Sequence, residues 1–484
     1  MKIKKILLIA PPAFTFKNAR DINPLPPMGL GYLASTLEAI GIEVKILDCL
    51  MNGWKHEEYV NESIVRVGSS DEDIQERIID FNPDLIGINC QFSRQYKIYH
   101  HMFSLIKKIN PMIIVVSGGP HASVCPEEVL GDDNCDYLLI GEGEESFCEL
   151  IMALQKDAEI TTIDGLGWKS NGTVNINPKI NMIANLDSIP LPAYHLMDLE
   201  KYFGLDASHG TRHRTRFCPI ITSRGCPAKC TFCSAHKVWG NKYRMRSVEN
   251  VLEEMRLLKY KYGVEEIMFE DDNVTANPKR AKELFKRMVE EQFKFTWDTP
   301  NGAGAWSMDE EMIDLIKQSG CIGLNFPVES GSQRVLDEII KKPLKLPRVK
   351  ELIQYCRKIK LDYGMFLVMG LPGEKKCDMW RSFRFAADCK CYNPHISIAT
   401  PYPGTKLFDE CFNKNLFSKE FHLDDLFIRS FIIKTNEWDD RKLRRILFLG
   451  HIYLKCCEFR SHPIKVLKQV IKKLIKLSSG VFLK

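Results

Sequence analysis

Three cysteines, Cys226, Cys230 and Cys233, lie within eight residues of one another in the segment Thr222-Ser223-Arg224-Gly225-Cys226-Pro227-Ala228-Lys229-Cys230-Thr231-Phe232-Cys233. Thiolates are soft ligands suited to iron–sulfur clusters, zinc or copper(I), and a loop shaped by Gly225 and Pro227 can wrap all three around one centre. A structural zinc site takes four ligands, usually as two pairs. No second Cys-x-x-Cys pair follows at that distance, although His236 would complete a Cys3His set. Three cysteines on a four-iron cluster leave one iron open, so the incomplete set points to chemistry rather than to storage.

The elements that must carry this loop come next. From residue 217 to about 405, strand and helix alternate, with strand candidates ending near Ser223, Phe269, Trp297, Val328, Met369 and Thr400. Six such units predict a partial (β/α)6 barrel, whose chemistry gathers at the carboxyl ends of its strands. Those ends carry the cysteine loop, Phe269-Glu270-Asp271-Asp272-Asn273, Val328-Glu329-Ser330-Gly331-Ser332, Val368-Met369-Gly370-Leu371-Pro372-Gly373-Glu374 and Ala399-Thr400-Pro401-Tyr402-Pro403-Gly404-Thr405. Alone, a Gly-Leu-Pro-Gly is a turn and an acid after a strand is a helix cap. Four such clusters joining the cysteine loop at successive strand ends are a site.

Ahead of the barrel, residues 1–156 alternate in the same way. Ile6 to Ala10, Val44 to Asp48, Leu85 to Asn89, Ile113 to Ser117 and Tyr137 to Ile140 are near-continuous apolar runs. They predict a flavodoxin-like, doubly wound α/β sheet buried on both faces. Its carboxyl ends carry Pro11-Pro12, Asn89 to Arg94 with Ser93 among them, Gly118-Gly119-Pro120-His121 and Gly141-Glu142-Gly143-Glu144, lining one crevice. Residues 157–215 read as a connector with a small hairpin about Asn171-Gly172 and a proline-rich stretch, Ile189-Pro190-Leu191-Pro192. The barrel domain would span 216–410, and 411–484 a helical basic extension.

At 484 residues the chain is too long for one core, and 45% hydrophobic with 27% charged residues describes a folded globular protein. The apolar stretch Ile6 to Ala10 is too short for a signal-peptide core, and no run reaches the roughly 18 apolar residues of a membrane span. A cytoplasmic protein is expected, so the seventeen cysteines should not form disulfides, and those outside the loop read as small buried hydrophobes. The net charge of +5 sits in the tail, where Arg441 to Lys484 holds twelve Lys or Arg and a single acid, Glu458.

The Cys-x3-Cys-x2-Cys loop, followed in order by the acidic, Glu-Ser-Gly-Ser, Gly-Leu-Pro-Gly-Glu and Pro-Gly-Thr elements, resembles the radical S-adenosylmethionine (SAM) superfamily. With Pro27-Met28-Gly29-Leu30-Gly31-Tyr32-Leu33-Ala34, Gly118-Gly119-Pro120-His121 and Gly141-Glu142-Gly143-Glu144, residues 1 to about 410 are similar to its cobalamin-binding class. That class includes methyltransferases and the anaerobic magnesium-protoporphyrin ester cyclase. The resemblance implies a 4Fe-4S cluster on Cys226, Cys230 and Cys233, with SAM on the open iron cleaved to a 5′-deoxyadenosyl radical. It implies SAM contacts from Asp271 or Asp272, from Glu329 and Ser330, and from Gly370 and Pro372 against adenine. It further implies cobalamin on the first domain, near Ser93, Gly118, Gly119, His121, Glu142 and Gly143.

The Asp-x-His-x-x-Gly motif that supplies a lower axial histidine in many cobalamin proteins is absent, which leaves His121 to touch the corrin edge or simply to cap its turn. A low-potential donor, flavodoxin or ferredoxin, is the implied partner. The implied reaction is methylation of an unactivated carbon, with oxidative cyclisation or rearrangement as the alternative. Methylthiotransfer would need a second cysteine cluster among Cys49, Cys90, Cys125, Cys135 and Cys148 and a C-terminal β-barrel, and a plain electron carrier would want a fourth cysteine on its cluster.

In the tail, residues 464–477 place Leu467, Val470, Ile471, Leu474 and Ile475 on one helical face, with Lys465, Lys468, Lys472 and Lys476 on the other. Such a helix suits the anionic inner face of a membrane, or packing on the barrel as an equal alternative. No nucleic-acid partner is expected, because no aromatic platform accompanies the lysines. The substrate class stays open among small molecules, lipids and peptides.

Overall fold

Branched apolar residues in alternation build the N-terminal sheet. Lys5–Ala10, Glu43–Asp48, Leu85–Asn89, Ile114–Gly118 and Tyr137–Leu139 pair in parallel. The second of these lies at one edge beside the first, and the third, fourth and fifth follow on the other side, which is the flavodoxin-like order. In the first strand Ile6 is opposite Val44 on one side and Leu85 on the other. Leu7 and Ile9 enter one apolar core with Ile86, Ile88 and Val115, while Ile6 and Leu8 enter the other with Val44, Leu85 and Val116. Helices cover both faces, as the two-residue period of the strands requires. The computed structural model describes residues 2–18, 22–205, 213–426, 431–464 and 466–467.

The Asn-Gly hairpin expected in a connector instead extends this sheet. Leu166–Ser170 pairs antiparallel with Tyr137–Leu139, and Thr173–Ile176 forms the outer edge. The last parallel strand is only three residues long, and its far side would otherwise present unpaired backbone groups. A small antiparallel sheet of Ala13–Phe16, Ile64–Val67 and Glu57–Tyr59 lies outside the sequence expectations.

Six parallel strands then follow in two sets of three: Phe217–Ile220, Glu266–Phe269 and Thr296–Asp298, then Leu324–Glu329, Tyr363–Met369 and His395–Ile398. Trp297 joins the sets, its N–H donating to the Gly320 carbonyl (3.1 Å) and its carbonyl accepting from Ile322 (3.0 Å). The fully buried Trp297 ring stacks on Phe285 and meets Phe269 edge-on, with ring centres 5.0 and 5.1 Å away. Such pairs contribute about 0.5–1.5 kcal/mol beyond their buried area. The result is the partial barrel. Its first strand stops at Ile220 rather than near Ser223, because Thr222 and Ser223 turn to bond Asp271.

Helix Asp440–Ser461 closes the described chain. Asp439 caps it by accepting the Lys442 N–H (2.9 Å), and Leu443, Ile446 and Leu454 pack into the barrel core. Its outer face exposes Phe448, Ile452 and Phe459. The amphipathic stretch 464–477 falls almost wholly outside the described residues. Among those residues, no helix is long and apolar enough to cross a membrane.

Candidate active site at the carboxyl ends of the barrel strands

The cysteine loop leaves and returns at one neck, where Ser223 pairs with Met245 and Arg224 with Arg244 as a two-rung antiparallel ribbon. Just inside, Gly225 has φ +82°, and a Cβ there would lie 2.6 Å from the Lys242 carbonyl oxygen, so only glycine fits. The loop is buttressed by two others: the Thr231 N–H donates to the Ile340 carbonyl (3.1 Å), and the Thr231 carbonyl accepts from Leu407 (2.9 Å). All three thiols are half-buried and free, and most of the remaining cysteines are buried. Burial pushes Cys230 up to about 12 and Cys233 to about 11, and raises Cys226 in the same sense. Among the described residues no three Cys, His, Asp or Glu side chains converge as the ligands of a single ion would. A polynuclear cluster spreads its thiolates more widely.

The acidic run after the second barrel strand divides three ways. Asp271 is buried and faces backwards, accepting the Thr222 N–H (3.1 Å), the Thr222 hydroxyl (2.8 Å) and the Ser223 hydroxyl. Glu270 meets the Asn301 amide (3.4 Å). Asp272 instead faces the loop, near the Gly225 N–H, and adds its charge to the surroundings of Cys226 and Cys233. Burial, with the neighbouring Asp271 charge, raises the Asp272 carboxyl to about 6.

Glu329 ends the fourth strand at φ +68°, a conformation that costs a side-chain-bearing residue about 1–3 kcal/mol and persists only where neighbours hold it. Its partner is Lys342, whose Nζ lies 2.7 Å from Oε1 with both side chains buried. Lys342 reaches this place because the wide helical turn Val335–Ile340 ends at Lys341 with φ +63°, and the Lys342 N–H folds back to the Leu336 carbonyl (3.0 Å). The ammonium lies 5.5 Å from the centre of the Trp306 ring, and its charge acts on Cys226 and Cys230. Sequence reasoning missed Lys342. The only available signal was a Lys-Lys-Pro stretch soon after the Glu-Ser-Gly-Ser element.

The remaining barrel candidates are placed differently. Ser330 is buried against Ser332 and Ser382, its hydroxyl accepting the Ser332 N–H (3.2 Å). The Gly370–Pro372 turn is closed by Glu374, which accepts the Gly370 N–H (2.8 Å) and the Leu371 N–H (3.2 Å), and Trp438 of the C-terminal region donates to the Glu374 carbonyl (2.9 Å).

In the N-terminal crevice the expected ligands are already occupied. His121 is buried, with Nδ1 on the Ser93 hydroxyl and Nε2 on Glu128, both at 3.1 Å. Glu128 in turn meets His100 Nε2 (2.7 Å), and His100 Nδ1 meets Asp132 (2.7 Å). Gly118 ends its strand with its carbonyl accepting from Cys90, the Gly119 carbonyl accepts from Ser123, and the Gly143 carbonyl accepts from Phe147. Glu142 is buried in ion pairs with Arg224 and Arg244, at the neck of the cysteine loop.

The donor set fits a cluster with a bound cofactor. Three thiols share one loop, and buried Asp272 Oδ2, Asn273 Nδ2 and Thr299 Oγ1, at the ends of the second and third barrel strands, have no partner among the described residues. Buried polar atoms are ordinarily satisfied, so such a group marks a place for a ligand.

Residues 220–386 match the Radical SAM superfamily and residues 22–151 match the B12 binding domain. The chain is 34% identical to the cytidylyl-2-hydroxyethylphosphonate methyltransferase of Streptomyces wedmorensis, over 92% of this chain and 89% of that one. It is 25% identical to the anaerobic magnesium-protoporphyrin IX monomethyl ester cyclase of Rubrivivax gelatinosus, over 80% of this chain and 67% of that one. In fold it is similar to the radical SAM methyltransferase TsrM from Kitasatospora setae, solved with cobalamin and a [4Fe-4S] cluster (TM-score 0.69, 18% identity, 91% of this chain and 84% of that one). The chain belongs to the radical SAM superfamily, in its cobalamin-binding class. It is an enzyme whose cofactors are a 4Fe-4S cluster, SAM and cobalamin, and it requires a reductant.

Proposed function

We propose that the protein methylates an unactivated carbon of a small-molecule substrate. One observation carries the site assignment: the three-thiol loop opens toward Asp272, Glu329 and the buried Lys342 at the carboxyl ends of the barrel strands. When bound, the cluster and SAM supply the 5′-deoxyadenosyl radical, and cobalamin supplies the methyl group. Cys226, Cys230 and Cys233 would hold the cluster through three of its irons and leave the fourth open to SAM. Asp272 and Glu329 would offer carboxylates to the SAM amino group, and Lys342 would offer a cation to its carboxylate. Asp272 and Glu329 stand at strand ends on rigid backbone, and the ion pair with Glu329 fixes the Lys342 cation beside them.

Residues 1–156, with the sheet extended by the hairpin of 157–215, form the cobalamin domain, residues 216–410 the radical-generating domain and 411–484 a C-terminal appendage. A flavodoxin or ferredoxin is the donor. The exposed row Phe448, Ile452 and Phe459, followed by a lysine-rich tail, supports contact with an anionic membrane surface.

Anaerobic protein reconstituted with iron, sulfide and cobalamin tests the reading. It should show iron–sulfur absorption, retain corrinoid and release 5′-deoxyadenosine from SAM under reduction. Zinc in the cysteine loop, or loss of all corrinoid on desalting, would overturn it. With a substrate in hand, product mass separates methylation from cyclisation, which removes hydrogen instead of adding a methyl group.

A further inference from the structure

The Gly-Glu-Gly-Glu element at the end of the fifth parallel strand does not face an open crevice. Glu142 Oε1 meets Arg224 Nη1 at 3.0 Å, Glu142 Oε2 meets Arg244 Nη1 at 2.7 Å, and Glu144 Oε1 meets Arg224 Nη2 at 2.5 Å. The Glu142 side chain is 0% exposed, those of Arg224 and Arg244 4%, and that of Glu144 8%. These are two carboxylates and two guanidinium groups in balance, the arrangement that makes buried charge tolerable. Gly141 completes the contact: at φ +70°, a Cβ there would lie 3.1 Å from the Val238 carbonyl, in the short helix that follows the cysteines.

The two arginines are the rungs of the neck. Arg224 stands two residues before Cys226, and Arg244 is its ribbon partner where the loop returns. A second motif of the first domain reaches the same place. The Tyr32 hydroxyl donates to the Ile221 carbonyl and accepts from Arg246 Nη1, both at 3.3 Å, and the Arg224 guanidinium lies 5.3 Å from the centre of the Tyr32 ring. Both roots of the cysteine loop are therefore held by the other domain. Buried ion pairs are a poor source of net stability compared with apolar packing, but they tolerate one geometry only.

We propose that Glu142 and Glu144 are positioning residues that fix the cluster loop against the cobalamin domain, so that the radical and the methyl group meet at one substrate carbon. The proposal rests on the functional reading above. A displacement of about 1 Å at a reacting centre can cost about a hundred-fold in rate, so two domains that must act on one atom need such a register.

The test uses full-length protein, reconstituted anaerobically, as wild type, Glu142→Gln and Glu144→Gln. Hydrogen–deuterium exchange of residues 225–243 should quicken by about ten-fold or more in Glu142→Gln, and less in Glu144→Gln, while the sheet strands keep wild-type protection. The electron paramagnetic resonance spectrum of the reduced cluster should shift or broaden on adding SAM in a way the wild type does not show. Glu142→Asp should restore part of both. Should Glu142→Gln fail to fold, Glu144→Gln carries the same readouts, because it leaves the doubly used carboxylate in place. Wild-type exchange and wild-type spectra in both Gln variants would overturn the proposal. A wild-type protein with neither cluster signal nor corrinoid would overturn the functional reading instead.

Discussion

Two crevices at the carboxyl ends of parallel strands can be compared within this one chain. In the barrel, polar groups at the strand ends are left incomplete: Asp272 Oδ2, Asn273 Nδ2 and Thr299 Oγ1 are buried without partners among the described residues, and Asp272 acts on two of the three free thiols. In the N-terminal sheet, the residues that look like ligands in the sequence are satisfied, His121 by Ser93 and Glu128, and Glu142 by two arginines. A buried group left open for a ligand is costly to keep waiting. The barrel presents donors. The first domain presents shape and backbone, and directs its charge toward the barrel.

The comparison breaks most visibly at the cysteines. Cys230→Ala should lower 5′-deoxyadenosine formation by about a thousand-fold or more and deplete bound iron, measured by chromatography and iron analysis. Unchanged cleavage would remove the barrel from its role. Next in size is Lys342→Met, which strands the Glu329 carboxylate in the interior. It should cost about 3–5 kcal/mol in thermal unfolding, and the double variant with Glu329→Gln should recover part of that loss. His121→Asn should cost about 1–3 kcal/mol through the unpaired Glu128 and Ser93, yet leave the visible spectrum of bound corrinoid unchanged. A changed spectrum would turn His121 from a structural residue into a ligand and erase the contrast.

The smallest effect concerns pH. Burial raises the Glu128 carboxyl, but hydrogen bonds from His100 and His121 outweigh it and hold the group at about 2, below its ordinary 4.5. Its contribution is therefore complete above pH 4.5 and is lost as pH falls toward 2. His100 is raised above 6.5, chiefly by its hydrogen bond to Glu128, so its share is complete below 6.5 and is lost as pH climbs through the raised value. Glu128→Gln should flatten both limbs of a melting-temperature profile, by about 1 kcal/mol or less because the carboxylate is partly exposed.

Much of this was legible in the sequence, for a physical reason. Strands buried on both faces are apolar runs whatever they pair with, so Leu85–Asn89 is found to the residue and the order of the first sheet follows from handed crossovers. The cysteine loop is local and announces itself by spacing. What stays hidden is contact between residues far apart. Asp271 and Asp272 are indistinguishable as letters, and only folding sends one to Thr222 and the other toward the cysteine loop. Glu142 looks like part of a ligand-binding turn because its arginine partners lie some eighty and a hundred residues away. Lys342 offers no more than a Lys-Lys-Pro stretch as signal, and its importance comes from being buried.

The hairpin of Leu166–Ile176 has a practical bearing on how the first domain can be isolated. A fragment cut after residue 156 would bare the rim of Tyr137–Leu139, where a short ladder invites another molecule to zip alongside. Carrying the fragment on through residue 177, where the Asn177 N–H still donates to the Leu166 carbonyl, would retain the native selvage.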